Sequence, residues 1–275
     1  PLLQRYALAH PNARSSHRTP TPQGGGIAVI AATIIVAGGA LAIWREPSFD
    51  PNTLGIVLAA AALIATVGAW DDVRNIGVVP RLALQMLAVG LVVASLPSDL
   101  RVVASLPWWI ERALLLLACL WFVNLTNFMD GIDWMTVAEF VPVSIGLVAI
   151  GWLGALPMHG VLLALALCGG LIGFAPFNRP VARIFLGDVG SLPIGLIFAW
   201  LLVLVAGGGH IAAAVILPLY YLADATLTLL LRLKNRKPFW LAHRTHYYQH
   251  ATNPGFSVPG FITRVLLVHV ALVAF

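Results

Sequence analysis

The stretch "IAVIAATIIVAGGALAI", from Ile27 to Ile43, carries no charged side chain and decides the fold class of this chain. An apolar run of roughly 17 to 25 residues is typical of a transmembrane helix, because a helix satisfies its own backbone hydrogen bonds inside lipid. Similar runs lie at 54–70, 82–96 and 161–174. Only 10% of the 275 residues are charged, and the mean hydropathy is +0.90. The sequence therefore predicts an all-α, polytopic integral membrane protein.

The apolar segments predict about nine transmembrane helices in this chain, and ten or more if further sequence precedes Pro1. The predicted spans are 24–44, 54–70, 80–97, 108–125, 135–153, 158–177, 189–206, 210–231 and 259–275. The alternative is a soluble helical protein with a very large core, which this density of apolar runs disfavours. Because the chain begins without a methionine and stops at Phe275 inside an apolar run, we expect more sequence at either end.

Lysine and arginine are distributed unevenly over the loops between these spans. If the spans alternate, 13 of the 16 basic residues lie on the side that contains the segments 1–23, 71–79, 126–134, 178–188 and 232–258, counting the adjoining helix ends. Cytoplasmic loops accumulate lysine and arginine, so this side is predicted to be cytoplasmic. The net charge of +5 is therefore mainly a topology signal. A nucleic-acid partner is not expected, since it would need a basic face on a folded domain.

Five of the 11 acidic residues lie on that same side, at or just beyond predicted helix ends: Asp71, Asp72, Asp130, Asp133 and Asp188. An ionised carboxylate is costly to remove from water, and it is rare in membrane proteins unless it has a partner or a function. Ordinary solvated acids would scatter over both faces of the membrane. Three separate loops that bring aspartates to one rim predict a polar binding site there.

The stretch "GAWDDVRN" places Asp71 and Asp72 side by side where a helix meets water. Adjacent carboxylates repel each other unless a cation or a proton compensates them, so a divalent metal is one interpretation. A solvated helix end is the other, although carboxylates there oppose the helix dipole.

The stretch "NLTNFMDGIDWM" contains Asn124, Asn127, Asp130 and Asp133 at intervals of three. This spacing puts them along one helical face if the segment is helical, and Gly131 lets a ligand approach the backbone. Amide and carboxylate groups suit the hydrogen-bonding groups of a nucleobase or a sugar. A polar turn between helices is the alternative.

The stretch "RIFLGDVGSLPIG" places Asp188 between two glycines, with Ser191 at the start of the next helix. Glycines beside an aspartate and a helix N-terminus suit a phosphate together with a hard cation. A simple N-cap by Asp188 is the alternative, and the two interpretations are compatible.

The longest polar loop contains "HRTHYYQH", which supplies His243, Arg244, His246 and His250. Arginine binds phosphate through its rigid fork, and histidine can donate a proton near neutral pH. A zinc site is the competing idea, but no cysteine is near. At the other end of the chain, the serines, threonines and backbone N–H groups of "HPNARSSHRTPTPQGGG", Thr21 among them, could hold a further phosphate; a glycine-rich turn is the alternative.

Together, these stretches predict basic groups and Mg²⁺ around a diphosphate at the depth of the lipid headgroups. The order of "NARSSHRTPTPQGGG", "DDVRN…PRLALQ", "NLTNFMDGID", "FLGDVGS" and "AHRTHYYQ", over residues 12–257, resembles the polyprenyl-phosphate glycosyl-1-phosphate transferases, glycosyltransferase family 4. The resemblance implies one transmembrane transferase domain over 1–275, in the bacterial inner membrane, with its active site facing the cytoplasm. It also implies that a UDP-linked N-acetylhexosamine and undecaprenyl phosphate give undecaprenyl-diphospho-sugar and UMP, with Mg²⁺ as cofactor and Mn²⁺ as an alternative. The resemblance leaves open whether the protein forms a homodimer.

The resemblance further implies roles for individual residues. The metal-binding and catalytic set is Asp71, Asp72 and Asp188, with His246 as a further catalytic residue in the basic loop that closes over the diphosphate. The nucleotide- and sugar-binding set is Asn127, Asp130, Asp133 and Arg244. The set that binds the lipid phosphate is Arg74, Arg81 and Thr21. The acidic pair at 71–72 either helps to bind Mg²⁺ or deprotonates the lipid phosphate.

Two departures from the family pattern stand out. Many members have "DGIDGLA" where this chain has "DGIDWMT", so Trp134 replaces a small residue. The commoner basic loop carries more histidines, whereas here Tyr247, Tyr248 and Gln249 follow His246. The stretch "HRTHYYQ" is closer to the subgroup that starts O-antigen or other surface polysaccharides.

Three other functions are compatible with a membrane protein but fit this pattern less well. A transporter or flippase keeps its polar residues near the bilayer midplane in broken helices. Here only Asp224 lies deep, where we expect it to pair with a basic residue or to tune helix packing. CDP-alcohol phosphotransferases have their aspartates in one block of sequence, and a membrane scaffold would not need five aspartates on one side.

Overall fold

We describe the chain in a computed structural model over residues 8–9, 20–43, 50–74, 76–237, 244–252 and 255–275. The helices are α1 (Gly26–Ile43), α2 (Pro51–Val73), α3 (Val78–Ala94), α4 (Trp108–Met129), α5 (Met135–Trp152), α6 (Met158–Asn178), α7 (Asp188–Gly207), α8 (Ile211–Ile216), α9 (Leu219–Lys234), α10 (Tyr247–Ala251) and α11 (Val258–Ala274). Two short strands, β1 (Leu8–Ala9) and β2 (Thr21–Pro22), pair antiparallel, with Leu8 opposite Pro22. Residues 10–19 of the predicted phosphate segment, and His243, lie outside the described residues.

The prediction of an all-α, multi-pass membrane protein is confirmed. Within the described residues, six helices are long and apolar enough to cross a membrane, namely α1, α2, α4, α5, α6 and α7. Two shorter apolar helices, α3 and α11, accompany them. The predicted span 210–231 is instead two helices, α8 and α9, with Pro218 at the start of the second. Proline has no N–H group to donate, so a continuous helix is interrupted there.

The bundle is built around α7. Every residue from Val189 to Ala206 is buried, and α7 packs against α1, α2, α4 and α8. A helix that is apolar on all sides is surrounded either by lipid or by protein, and α7 is surrounded by other helices. Its first residue, Asp188, is therefore held at a fixed point at one end of the bundle.

The ends of α2 and α4 meet the start of α7. Asp71 and Asp72 lie in the last turn of α2, and Asp130 directly follows α4. Gly68 allows the close approach of α2, since a Cβ there would lie 2.3 Å from the carbonyl oxygen of Asp188. The acidic rim predicted from alternating spans is thus a single end of the bundle.

At the opposite end of the bundle, charged side chains bind the loop between α3 and α4. The buried Glu111 carboxylate accepts hydrogen bonds from the Arg101 guanidinium and from the backbone N–H groups of Val102 and Val103. Arg112 donates to the Pro97 carbonyl at 2.6 Å. These contacts satisfy backbone groups of the segment between α3 and α4, so the charges at this end are structural.

Candidate active site

A polar cavity of about 260 Å³ lies at the N-terminal end of α7. The polar side chains that line it come from distant parts of the chain: Gln23, Asp72, Asn127, Asp130, Asn178, Asp188 and Gln249. Three of these are carboxylates, contributed by the end of α2, the end of α4 and the start of α7. The structure therefore brings together Asp72, Asp130 and Asp188, as the sequence predicts.

Asp188 is positioned by its neighbours on other helices. Its Oδ1 accepts a hydrogen bond of 2.7 Å from the Asn127 side-chain amide, whose nitrogen also lies 3.0 Å from Ser191 Oγ. Its Oδ2 lies 3.5 Å from Arg81 Nη1, and its side chain is 25% exposed. Asp188 is thus oriented by a neutral amide and a cation while it still faces the cavity.

Asp72 caps α7 from another helix. Its two carboxylate oxygens accept the backbone N–H groups of Asp188 at 3.0 Å and of Val189 at 3.1 Å. The first N–H groups of a helix need such acceptors, and the residue before α7, Gly187, has no side chain to supply one. Gly187 has φ +77, and a Cβ there would lie 2.5 Å from Asp72 Oδ2, so glycine is required. Beside its predicted metal role, Asp72 therefore has a structural role that the sequence did not reveal.

Asp71 points elsewhere. Its Oδ2 accepts a 2.7 Å hydrogen bond from Arg81 Nη1, its Oδ1 accepts one of 2.6 Å from the Ile76 N–H group, and its side chain is 7% exposed. Asp71 does not line the cavity, and neither does Arg74, which is exposed just after α2. Asp71, predicted to bind metal, forms an ion pair with Arg81, predicted to bind phosphate. The same Arg81 nitrogen also lies near Asp188.

The segment after α4 is not helical, which corrects one expectation. Because α4 ends at Met129, a shared helical face extends over Asn124 and Asn127 but not to Asp130 and Asp133. Asn124 contacts the Gln85 side chain, and Asp133 accepts the Ala182 N–H group at 2.9 Å; neither lines the cavity.

Asp130 does line the cavity, and its carboxylate accepts a hydrogen bond from the Thr136 hydroxyl. Burial, with the nearby negative charges of Asp188 and Asp72, raises the pKa of Asp130 to about 8. This carboxyl therefore holds a proton near neutral pH unless a cation compensates its charge.

Trp134 occupies a backbone conformation that favours glycine. Its φ is 64, at the start of α5. Its backbone N–H donates to Asn178 Oδ1 at 2.8 Å, and its indole N–H donates to the Ala175 carbonyl at 2.6 Å. The replacement of a small residue, noted from the sequence, thus falls at a left-handed position that two hydrogen bonds to α6 hold in place.

The basic loop is held by Asp224 on α9. The carboxylate oxygens of this buried residue accept the backbone N–H groups of Tyr247 at 3.0 Å and of Tyr248 at 2.9 Å, at the start of α10. His246 Nδ1 lies 3.4 Å from the same carboxylate. Asp224 therefore has a structural role, as expected; its contacts are with backbone N–H groups, with the Tyr220 and Thr228 hydroxyls and with a histidine.

His246 and Arg244, two predicted site residues of this loop, are not part of the cavity lining. His246 is buried, with its ring centroid 6.2 Å from that of Phe128 and 5.8 Å from that of Tyr248. Neither His246 nor Arg244 lines the cavity, whereas Gln249 does. Tyr248 donates its hydroxyl to the Phe128 carbonyl at 3.0 Å, which fastens α10 to α4.

Three polar side chains line the cavity without having been predicted as site residues, namely Gln23, Asn178 and Gln249. Gln23 donates to the Asp72 carbonyl at 2.9 Å, whereas the predicted phosphate ligand Thr21 is buried in β2 and does not line the cavity. The position of Gln23 directly before three glycines was the available signal. Asn178 begins the predicted loop 178–188 on the acidic side, but nothing in the sequence singled out its side chain.

The cavity fits a hard cation. Its carboxylate and amide oxygens are the ligands that Mg²⁺ prefers, and Mg²⁺ usually takes one or two carboxylates and retains several waters. Among the described residues, no group of three or more His, Cys, Asp or Glu side chains is placed to hold a metal ion. Asp188 and Asp130, which both line the cavity, are the carboxylates that would hold such a cation, with water as its remaining ligands.

The fold and the cavity define a class of protein: a helical, multi-pass membrane protein with an acidic site at the N-terminal end of its central helix. The family model described as "Glycosyl transferase family 4" matches residues 54–206, from α2 to the end of α7. This chain belongs to that family. The matched residues include every carboxylate that lines the cavity.

Curated relatives agree with this assignment. The chain is 34% identical over 200 residues to the phospho-N-acetylmuramoyl-pentapeptide-transferase of Enterococcus faecalis, which covers 67% of this chain and 61% of the relative. It is 29% identical to the decaprenyl-phosphate N-acetylglucosaminephosphotransferase of Mycobacterium leprae, over 70% of this chain and 53% of the relative. It is 26% identical to the Bacillus subtilis protein named "Probable undecaprenyl-phosphate N-acetylglucosaminyl 1-phosphate transferase", over 94% and 74%. The chain thus spans less than two thirds of the first two relatives.

Proposed function

We propose that this chain transfers a sugar 1-phosphate of the N-acetylhexosamine type from a UDP-sugar to undecaprenyl phosphate. The products are undecaprenyl-diphospho-sugar and UMP. The observation that carries the proposal is the convergence of Asp72, Asp130 and Asp188 on one cavity at the end of a membrane bundle. The names of the relatives support it, since each describes the transfer of a phosphosugar and two name a polyprenyl phosphate.

In this reaction an oxygen of the lipid phosphate attacks the sugar-bearing phosphorus of the UDP-sugar, and the bond from that phosphorus to UMP breaks. Asp188 and Asp130 would hold Mg²⁺, with Mn²⁺ as an alternative. The cation, when bound, draws charge from the phosphoryl oxygens and aligns the attacking and leaving groups.

Other residues of the chain position these groups. Asn127 fixes the orientation of Asp188, and Asp72 fixes the backbone from which Asp188 projects. Arg81, 3.5 Å from Asp188, supplies a cation beside the site that can attract the lipid phosphate. The side-chain amides of Gln23 and Gln249 line the cavity, and amides offer both donors and acceptors to a nucleobase or an acetamido sugar.

The proposed location is the cytoplasmic face of a bacterial inner membrane. The excess of lysine and arginine in the loops at the acidic end supports that orientation. The lipid acceptor would reach the cavity sideways from the bilayer. The stretch "HRTHYYQ" favours a role in starting O-antigen or another lipid-linked surface polysaccharide.

Release of UMP tests the proposal. Purified protein with Asp188→Asn should lose UMP release from UDP-sugar and undecaprenyl phosphate in the presence of Mg²⁺. Asp99→Asn is the matched control, because Asp99 is exposed in the loop that precedes α4 at the opposite end. Full activity of the Asp188 variant would remove its proposed metal role. A panel of UDP-sugars supplied with undecaprenyl phosphate would identify the sugar.

The transporter alternative is less well supported. It would place polar groups along a path through the middle of the bilayer. The polar pair within the spans, Glu139 on α5 and His269 on α11, is fully buried and self-paired, with 2.6 Å between Oε2 and Nε2. This pair is better suited to joining two helices than to passing a substrate.

A further inference from the structure

A second polar pocket of about 260 Å³ lies between the end of α9 and α10, and we name it the α9 pocket. It is lined by three basic residues and by residues with hydroxyl or amide groups. These residues are Arg232, Lys237, His250, Thr228, Asn235 and Thr245. Among the described residues, no carboxylate lines this pocket. The α9 pocket therefore has the opposite charge to the acidic cavity.

The end of α9 creates the pocket by reversing the chain. The Arg236 N–H donates to the Leu233 carbonyl at 3.0 Å, and the Lys237 N–H donates to the Arg232 carbonyl at 2.9 Å. Arg236 has φ 53, a left-handed conformation that closes a helix in this way but is unfavourable for a residue with a Cβ. The reversal returns Lys237 to the level of Arg232, so that two cations flank one opening.

The α9 pocket and the acidic cavity lie on different faces of α10. Tyr247 and His250, three residues apart, share a helical face and line the α9 pocket. Gln249 lies on another face and lines the acidic cavity. Asp224 directs its carboxylate to the backbone of α10 and to the hydroxyl of Thr228, and does not itself line the α9 pocket. A ligand in the α9 pocket would thus be separate from the substrates of the proposed reaction.

The basic groups are more than a helix-end feature. Cations in the last turn of a helix complement its dipole, which accounts for Arg232 and Lys234. The helix dipole does not account for Lys237 and His250, which lie beyond the end of α9 and line the α9 pocket together with Arg232. Arg232 is 9% exposed, and its Nη1 lies 3.4 Å from Thr245 Oγ1. A guanidinium fixed beside a polar opening is suited to a phosphate group.

The leucines beside the pocket favour a lipid as the molecule that would carry the phosphate group. On α9, Leu227, Leu230, Leu231 and Leu233 are 50%, 55%, 44% and 60% exposed, and Leu231 also lines the pocket. On the surface of a membrane protein, exposed leucines are suited to contact acyl chains. The pocket therefore lies where an apolar surface meets a basic one, as in sites for anionic headgroups. We propose that the α9 pocket binds the phosphate group of an anionic phospholipid, independently of the transferase reaction.

Native mass spectrometry of the full chain can test this site. Delipidated protein in neutral detergent is mixed with phosphatidylglycerol or with phosphatidylcholine at equal concentration, and the lipid-bound fraction is compared. Wild type should prefer phosphatidylglycerol, and Lys237→Gln should weaken that binding about fivefold, the effect of one basic residue at an anionic surface. Arg232→Gln should weaken it at least as much. Lys234→Gln is the matched control, because Lys234 is exposed on the same helix and does not line the pocket.

Two outcomes would overturn the site. The first is equal binding of both lipids by wild type; the second is a loss in Lys234→Gln as large as that in Lys237→Gln, which would show a diffuse charge effect. Inorganic phosphate separates the sources of the anion: if it binds to the lipid-free protein and phosphatidylglycerol gains nothing over phosphatidylcholine, the lipid assignment is wrong. Lys237 is exposed, so its variant keeps the test decisive even if Arg232→Gln does not fold.

Discussion

Substitution of Asp72 by asparagine tests whether one helix of this bundle caps another. In the wild type, two different oxygens of Asp72 accept the Asp188 and Val189 N–H groups, at 3.0 and 3.1 Å. Asparagine keeps one oxygen and presents an NH₂ group in place of the other. Because two donors cannot form a hydrogen bond, one N–H group at the start of α7 would lose its acceptor.

The expected loss of stability follows from these contacts. A hydrogen bond to a charged group contributes about 1.5–3 kcal/mol, and a buried N–H group left without a partner costs about 1–3 kcal/mol. The negative charge at a helix N-terminus contributes a further ~0.3–1 kcal/mol. Since these terms overlap, Asp72→Asn should lower the free energy of unfolding by about 2–4 kcal/mol.

Asp50 provides a matched control within the same chain. It caps α2, but there a single oxygen, Oδ1, accepts both the Asn52 N–H at 3.0 Å and the Thr53 N–H at 3.2 Å. Asparagine retains that oxygen and is as good an N-cap as aspartate. Asp50→Asn should therefore lower the free energy of unfolding by at most about 1 kcal/mol, from the loss of charge at the helix N-terminus.

The measurement is unfolding of both variants in mixed micelles by titration with a denaturing detergent, followed by circular dichroism. Asp72→Asn should also reduce UMP release, because Asp188 projects from the backbone that Asp72 holds. Equal free energies of unfolding for the two variants would refute the two-oxygen cap. Normal stability with reduced activity would limit Asp72 to a role in the reaction.

Three further predictions concern Asp130, Asp224 and Trp134. Because burial and nearby carboxylates raise the pKa of Asp130 to about 8, this group is mostly protonated at pH 7, and Mg²⁺ should release most of one proton. Proton release measured in weak buffer should fall by most of one proton in Asp130→Asn; an unchanged release there contradicts the assignment. Asp224→Asn should speed amide hydrogen exchange across α10 about tenfold, a loss of ~1.4 kcal/mol in its N-terminal hydrogen bonds. An unchanged rate of amide hydrogen exchange would show that Asp224 is not needed to hold α10. Trp134→Gly should be more stable than Trp134→Ala by about 1 kcal/mol, because only glycine adopts φ 64 without strain; the reverse order in chemical unfolding would refute this.

The membrane fold, its helices and its acidic end could be predicted from the sequence because each depends on local composition. A run such as Ile27–Ile43 is apolar whatever surrounds it, and the observed α1 (Gly26–Ile43) matches it closely. The alternation of spans then brought Asp72, Asp130 and Asp188 to one end without any knowledge of packing. The break at Pro218 was missed because the residues on both sides are apolar enough for one span.

The direction of each polar side chain was decided by tertiary structure. Asp71 and Asp72 look equivalent in the sequence, but adjacent residues on a helix point about 100° apart, so only one of them can face α7. Asp72 therefore caps α7 and lines the cavity, while Asp71 binds Arg81. Likewise, the end of α4 at Met129 turned Asp133 towards the Ala182 N–H group. Composition and periodicity determine which residues reach the acidic end of the bundle, and the packing of separate helices around α7 determines which of them share a cavity.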